Sequence, residues 1–173
     1  MLGMIVEAVT GDTIGKEIRT NLLTPNLLAA TSFDGEEPIV GHLAHGWQGT
    51  LDVSTAIDPS YAWAAGAMVS SMSDLVDYAT ALYSGKLLMP STMKALLTTV
   101  PTDQPGLSYG LGVFVGDASI AGDTIVGHPG DIPGYHTHMW YLPNEHITFA
   151  TAVNADGADP NDITAALLPY LLK

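Results

Sequence analysis

A serine and a lysine three residues apart form the first pair in this sequence that could perform nucleophilic chemistry. In Ser91-Thr92-Met93-Lys94, a helix would place the lysine amine one turn from the serine hydroxyl, where an unprotonated amine could accept its proton. The alternative is that Ser91 caps a surface helix and that Lys94 is solvated. We favour the alternative because a motif of two fixed residues arises easily by chance.

The histidines are a second candidate set, as zinc ligands. His136 and His138 lie on one face of a predicted strand, and the spacing of two earlier histidines is compatible with metal binding. No carboxylate lies at a recognised ligand offset, however, and the motif His-Glu-x-x-His is absent. We therefore expect neither a metal nor a cofactor, and interpret the histidines as bonded to the backbone or lining a cleft. The full set is His42, His45, His128, His136, His138 and His146.

The third candidate is a predicted strand end that is dense in glycine and proline. Residues 126–135 read Val-Gly-His-Pro-Gly-Asp-Ile-Pro-Gly-Tyr. Glycines beside His128 allow a ligand to approach the backbone closely, and the imidazole supplies a titratable hydrogen-bonding group. Pro129 cannot donate to a strand ladder, so we expect this strand at a sheet edge, where a cleft can form.

The elements that must position these residues begin with helices. Apolar residues recur at helical spacing over 2–9 and stop at Gly11, and the pattern already runs at residue 2, which favours a chain cut from a longer protein. Asp12 or Thr13 can cap a second helix that Pro25 ends. Residues 26–60 read as a long binding loop. Ser71 opens a helix that ends near Gly85, and Pro90 opens a shorter one through residue 97.

Strands follow the helices. Short runs rich in β-branched and aromatic residues, separated by turn residues, predict strands over 109–115, 124–128, 135–142 and 147–153. A terminal helix is predicted over 162–172, with Pro169 bending it or ending its regular part early. This order indicates an α+β fold, with a helical portion over 1–105 and an antiparallel sheet portion with its terminal helix over 106–173.

The composition excludes several partners. With 5 Lys and Arg against 18 Asp and Glu, the formal charge of −13 leaves no source for neutralising nucleic-acid phosphates or an anionic membrane surface. No apolar run is long enough to span a membrane, and residues 1–7 do not read as a signal peptide. The absence of Cys excludes a thiol nucleophile.

Five segments, taken in order, carry a family resemblance. They are residues 2–11, 23–28, 63–75, Tyr109-Gly110-Leu111-Gly112 and His128-Pro129-Gly130. They resemble the helix after a Tyr-x-Asn motif, the turn that follows it, an Ala-Gly-Gly and Ser-x-x-Asp-Leu helix start, a Tyr-Gly-Leu-Gly strand and a Lys-or-His-Thr-Gly motif. Together they resemble the penicillin-recognising serine hydrolases, which include class C β-lactamases, D-alanyl-D-alanine carboxypeptidases and family VIII esterases.

The resemblance implies a partial β-lactamase-like fold whose N-terminal strands are missing. The family's Ser-x-x-Lys nucleophile and Tyr-x-Asn lie upstream of residue 1, so the chain alone is expected to be inactive. By resemblance His128 would hydrogen-bond near the nucleophile, Gly130 would clear space, and the Asp131 backbone N–H would be an oxyanion donor. Trp63, Pro129 and Tyr135 are expected to contact the substrate. The resemblance alone favours an extracytoplasmic or secreted location.

Departures from the family motif bear on the substrate. Pro129 replaces the motif threonine, and the Asp131 carboxylate, if it faces the cleft, would repel a substrate carboxylate. We therefore expect a neutral ester, an amide or an amine-bearing substrate, small or peptidic. The missing strands would leave residues 147–153 as an unpaired edge, so an N-terminal fragment or a second copy is expected to cover it. A non-catalytic binding module and a histidine metal site remain the alternatives.

Overall fold

Gly11 ends the first N-terminal helix, and Thr13 caps the second. In the computed structural model, which describes residues 1–56 and 58–172, α1 spans Leu2–Thr10 and ends where Gly11 adopts the left-handed conformation, with φ of 78°. The Thr13 hydroxyl accepts a hydrogen bond from the Lys16 N–H and caps α2 (Ile14–Ile18). The chain continues as a π-helical turn over Arg19–Leu23, so the predicted second helix is confirmed, although its last turn is wider than α-helical.

The long segment that follows contains only short elements. Strand β1 (Ser32–Phe33) pairs with β4 (Met68–Val69), and β2 (Trp47–Gln48) pairs with β3 (Leu51–Asp52). A 3₁₀ helix over Pro59–Ala65 precedes β4.

Two further helices begin where the sequence predicts, but one of the two predicted capping residues is wrong. Helix α3 spans Met72–Tyr83, and the Ser71 hydroxyl accepts a hydrogen bond from the Asp74 N–H, as the capping pattern predicts. Helix α4 spans Pro90–Leu96 and is preceded by Met89, whose thioether is a poor acceptor. Ser91 lies inside α4, so the prediction that it caps this helix is wrong: proline occupies the first helical position, where no N–H is needed.

The C-terminal half is a six-stranded antiparallel meander in the order β10-β9-β8-β7-β6-β5. A short helix, α5 (Ala118–Ala121), connects β7 to β8. The strands are β5 (Val100–Pro101), β6 (Leu107–Tyr109), β7 (Phe114–Gly116), β8 (Ile125–Ile132), β9 (Tyr135–Leu142) and β10 (Ile147–Val153).

The strand predicted over 109–115 is wrong as a single element. Tyr109 ends β6 and Phe114 begins β7, and the two pair across a turn in which Gly112 has φ of 79°. Only glycine adopts that conformation readily, so the glycines that looked like part of a strand are the turn. The predictions of β9 and β10 are confirmed at both ends.

Helices cover both faces of the sheet. On one face α3 packs against β9 and β10, with the Tyr83 and Tyr141 rings stacked at 5.6 Å. On the other face α6 (Pro160–Leu171) closes a core with Ile125, Leu142 and Phe149. Pro169 lies inside α6, which continues to Leu171, so the prediction that Pro169 ends the regular part of this helix early is wrong. Among the described residues, the helices are too short or too polar to cross a membrane.

One small sheet joins the C-terminal strands to the N-terminal half. Strand β11 (Ala155–Asp156) follows β10 and pairs in parallel with β2. The predicted division of the chain at residues 105 and 106 stays a prediction.

Candidate active site

Among the described residues, the second half of β8 pairs with a neighbouring strand on one side only. Strand β7 pairs with β8 over three residues, from Gly116 opposite Ile125 to Phe114 opposite Gly127. Strand β9 pairs with β8 as far as Ile132. Residues 128–132 therefore have an open side where β7 has ended. The prediction that this strand lies at a sheet edge is wrong for residues 125–127, which are interior, and correct from His128 onward.

The register decides which backbone groups point to that open side. Pro133 and Gly134, with φ of 80° at the glycine, form a two-residue turn that the Ile132–Tyr135 pair closes. Closing pairs are hydrogen-bonded, and pair types alternate along an antiparallel ladder, so the pairs made by Pro129 and Asp131 are not hydrogen-bonded. Pro129 therefore lies where no N–H is needed. By the same alternation the Asp131 N–H points away from β9, toward the open side.

His128 has both ring nitrogens engaged. Its Nδ1 lies 2.5 Å from the Pro129 carbonyl oxygen, and its Nε2 lies 3.0 Å from the Tyr109 hydroxyl. A carbonyl oxygen only accepts, so Nδ1 carries a proton, and in the tautomer protonated at Nδ1 alone Nε2 accepts from the Tyr109 hydroxyl. The His128 ring also lies 5.1 Å from the Phe114 ring and 5.7 Å from the Tyr109 ring. His128 is thus held by the β6–β7 hairpin.

Tyr109 is the residue that the sequence did not identify as part of this site. Its signal was present, because it occupies the first position of the Tyr-Gly-Leu-Gly segment, immediately before a turn. The segment indicates a strand, however, and gives no information about which neighbouring strand the hydroxyl would reach.

Gly130 leaves space on the face of β8 that carries His128. Residues two apart on a strand share a face, so Gly130 and His128 do. A Cβ atom added at Gly130 would have the Thr137 carbonyl oxygen at 4.0 Å as its nearest neighbour. The clearance expected of this glycine therefore exists.

The Asp131 side chain lies on the opposite face. Its Oδ1 atom is 2.7 Å from Nδ1 of His136, whose Nε2 is 3.1 Å from Oδ1 of Asp156. The hydrogen bond to Asp131, aided by one to Asp156, raises the pKa of His136 against the effect of its burial. The Asp131 carboxylate is therefore directed away from His128, so the condition on which it would repel a substrate carboxylate is not met.

The three residues expected to contact substrate are dispersed. Pro129 lies on the Asp131 face, opposite His138 on β9. The Tyr135 hydroxyl donates to the Ala44 carbonyl oxygen at 2.7 Å, so this side chain fixes the loop before β2. Trp63 packs near α1 and has φ of 42°, a conformation that is rare outside glycine. In the part of the chain that the structure describes, no hydrogen bond or ring contact joins Trp63 to residues 128–131.

Three further histidines lie in separate local environments. His45 pairs with Asp52 at 2.6 Å, and His146 bonds the Tyr141 hydroxyl at 3.1 Å. His138 is buried, which lowers its pKa. Across residues 1–56 and 58–172 there is no group of three or more histidine or acidic side chains arranged to hold a metal, so the zinc alternative finds no support in this geometry. Ser91 and Lys94 are both exposed on α4.

Comparison with known proteins gives a family and a fold. The sequence model of the Beta-lactamase family matches residues 1–171. A D-stereospecific amidohydrolase from Streptomyces sp. is 30% identical, with a TM-score of 0.83 over 95% of this chain and 50% of its own. A D-amino acid amidase from Ochrobactrum anthropi SV3, solved with D-phenylalanine, is 23% identical, with a TM-score of 0.81 over 98% of this chain and 56% of its own.

A penicillin binding protein from Bacillus halodurans has the same fold. It is 19% identical, with a TM-score of 0.76 over 98% of this chain and 53% of its own. The chain therefore spans about half the length of the solved structures it matches.

Proposed function

The chain belongs to the β-lactamase family of penicillin-recognising serine hydrolases, and from that membership we propose that it forms one wall of an acyl-transfer active site. The wall consists of the His128 side chain, the clearance at Gly130 and the Asp131 backbone N–H. The nucleophilic serine and its lysine and tyrosine partners would come from the N-terminal half of the enzyme, as the family resemblance implies.

One observation carries the proposal. At residues 128–132 the sheet is open on one side, and the strand register directs the Asp131 N–H into that opening while its carboxylate is bonded on the other face. A backbone N–H that is fixed in direction, in a region that another polypeptide segment can close, is what stabilisation of an oxyanion requires.

The proposed reaction has two steps. The serine Oγ attacks the substrate carbonyl, its proton passes through the lysine and tyrosine to the leaving nitrogen, and the C–N bond breaks to give an acyl-serine and an amine. Water then attacks the acyl-serine, which releases the acid and restores the serine hydroxyl. In both steps the carbonyl oxygen gains negative charge, and the Asp131 N–H would donate a hydrogen bond to it.

We propose an amide of a D-amino acid as the substrate. The Streptomyces relative is a D-stereospecific amidohydrolase and the Ochrobactrum neighbour is a D-amino acid amidase. In this chain, Pro129 removes the motif hydroxyl that helps to bind a substrate carboxylate in carboxypeptidases and β-lactamases. The absence of that hydroxyl favours a substrate without a free carboxylate. The Asp131 side chain adds nothing to this preference, because it faces away from His128.

We also propose that an N-terminal half covers the exposed apolar surface of α1 and the free edge of β10. The outer surface of α1 exposes Leu2, Met4, Ile5 and Val9, each by more than half. Strand β10 is the last strand of the meander, with a free edge along Ile147–Val153. Apolar surface and a free strand edge on one chain indicate an interface with another segment.

The experiment compares this chain alone with a complemented enzyme. The N-terminal half would be the segment encoded upstream of residue 1 or, where none is encoded, the corresponding half of the Streptomyces amidohydrolase. D-phenylalanine amide, D-alanine p-nitroanilide, p-nitrophenyl butyrate and nitrocefin would be assayed in parallel. We expect no turnover by the chain alone and stereospecific amide hydrolysis by the complemented enzyme. Dominant turnover of nitrocefin would contradict the amide assignment.

A non-catalytic binding role is the second candidate. The observation that favours it is that both ring nitrogens of His128 are already hydrogen-bonded. In that case the complemented protein would bind D-phenylalanine amide in a calorimeter and release it unchanged.

A further inference from the structure

The tip of the β8–β9 hairpin is held by an unusual side-chain arrangement. His136 on β9 lies between two carboxylates, with Nδ1 at 2.7 Å from Asp131 and Nε2 at 3.1 Å from Asp156. A carboxylate accepts hydrogen bonds and does not donate them, so both contacts are hydrogen bonds only when both ring nitrogens carry protons. The arrangement therefore favours the imidazolium, in which both ring nitrogens donate.

Asp156 connects this imidazolium to the rest of the chain. Its Oδ1 atom also accepts the Gly134 N–H at 2.7 Å, and its Oδ2 atom accepts from the Gln48 side chain at 2.6 Å. Gly134 is in the turn between β8 and β9, and Gln48 is on β2. Asp156 thus holds the hairpin at its turn and, through His136, at its strand.

The second half of β8 depends on these contacts for its position. Beyond Gly127 its only strand partner in the described part of the chain is β9, and Tyr109 holds His128, so the contacts at the hairpin tip are left to fix residues 129–132. Within that segment, Asp131 is hydrogen-bonded directly to His136. Its carboxylate is held on one face, which fixes the direction of its N–H.

We propose that protonated His136 is a positioning residue that directs the Asp131 N–H into the active site. This proposal deepens the proposed function and rests on it for its catalytic consequence. His136 contacts neither the substrate nor the reacting atoms; it acts by holding Asp131. Loss of its proton removes one of its two hydrogen bonds and leaves the β8 segment free to shift.

The direction of the pH dependence follows from the charges around His136. Asp131 from β8 and Asp156 from β11 contact it, Asp159 at the start of α6 is a further negative charge nearby, and His138 lies two residues away on the same strand. The hydrogen bond to Asp131 is the main cause of the raised pKa of His136. We call the two hydrogen bonds of His136, to Asp131 and Asp156, the clamp. Because the pKa of His136 is raised in the folded state, the clamp is complete below the ordinary histidine pKa and is lost as pH rises through the pKa of folded His136.

The first test uses the chain by itself and needs no turnover. Nuclear magnetic resonance would follow the His136 ring and the Asp131 backbone amide together between pH 5 and pH 10. We expect both to change with one midpoint, above that of a free histidine, and the amide change to disappear in His136→Gln. An Asp131 amide that does not respond to the His136 titration would overturn the proposal.

The second test measures catalysis by the complemented enzyme. We expect His136→Gln to lower kcat about tenfold with KM within about twofold, since a misdirected donor is a smaller loss than a deleted one. In the wild type we expect kcat to fall at alkaline pH as His136 loses its proton, and this fall should be absent in His136→Gln. Asp159→Asn is the matched control: it removes a nearby negative charge but keeps a capping side chain, and should leave kcat unchanged.

The two tests separate the two proposals. A coupled titration in an enzyme that hydrolyses none of the substrates would refute the proposed function and leave the clamp standing. An active enzyme in which His136→Gln has the same kcat and pH profile as the wild type would refute the positioning role and leave the proposed function standing.

Discussion

Two glycines on β8 should respond in opposite ways to the same substitution. A Cβ atom at Gly130 would have 4.0 Å of space, whereas one at Gly127 would overlap the Met139 carbonyl oxygen and lie 2.5 Å from the Trp140 ring. Neither glycine has a positive φ, so the backbone accepts alanine at both positions. The difference between the two variants is therefore one of space alone.

The expected magnitudes follow from that difference. Alanine at Gly130 should raise the free energy of unfolding by about 0.5 kcal/mol, because the unfolded chain loses conformational freedom. Alanine at Gly127 must displace a carbonyl within the β8–β9 ladder, and overpacking of this kind costs about 3 kcal/mol. With a urea dependence of about 2 kcal/mol per molar, the unfolding midpoints of the two variants should differ by nearly 2 M.

Activity should fall in Gly130→Ala although this variant is the more stable of the two. The Cβ atom of Gly130→Ala points to the face that carries His128, where the substrate carbonyl would lie, and a displacement of about 1 Å costs about 100-fold in kcat/KM. Urea unfolding of the chain and D-phenylalanine amide hydrolysis by the complemented enzyme measure the two effects. A Gly130→Ala enzyme with unchanged kcat/KM, or one that unfolds more readily by over about 1 kcal/mol, would refute the reasoning.

Three further substitutions test separate parts of the structure. Glu37→Gln removes the carboxylate that accepts two hydrogen bonds from Arg19, at 2.8 and 2.7 Å, and should cost about 2 kcal/mol of unfolding free energy at pH 7. Because those bonds lower the pKa of Glu37, the wild type should lose this advantage as pH falls below about 4, and urea midpoints at pH 7 and pH 3.5 measure it. Tyr109→Phe removes the donor to Nε2 of His128, so the nitrogen-15 shift of that atom should change; an unaltered shift would contradict the assigned tautomer. Ser91→Ala should leave kcat/KM within about twofold and the unfolding free energy within about 0.5 kcal/mol, as expected of an exposed residue outside the site.

The elements that local chemistry determines could be predicted from the sequence. The Ser71 cap and the apolar stripe after it predict α3, and alternating β-branched and aromatic residues predict β9 and β10 at both ends. Each of these signals acts over a few residues and does not depend on distant parts of the chain. The turn at Gly112 was missed because a strand interrupted by two glycines and a hairpin have nearly the same composition.

The arrangement of the site could be predicted only in part. His128 and Asp131 are three residues apart on β8, so their side chains lie on opposite faces. The predicted strand ended at residue 128, whereas β8 continues to Ile132, so the sequence did not assign Asp131 to a face. The contact between Tyr109 and His128 could not be predicted either, because it depends on where β7 stops pairing with β8. The position of Asp156 beside His136 likewise depends on β11 joining β2, a connection that no local pattern encodes.

The nearest-neighbour order of the six-stranded sheet has a kinetic consequence. From β5 to β10 every strand pairs with the next strand along the chain, so each pairing closes a short loop and the sheet has low contact order. The parallel pairing of β11 with β2 is different, since the Gln48–Asp156 hydrogen bond spans 108 residues. We expect the meander to form early in folding and β11 to dock late. The proposed wall of the active site would then form before the contacts that fix the direction of the Asp131 N–H, so the last folding step would also be the one that completes the proposed site.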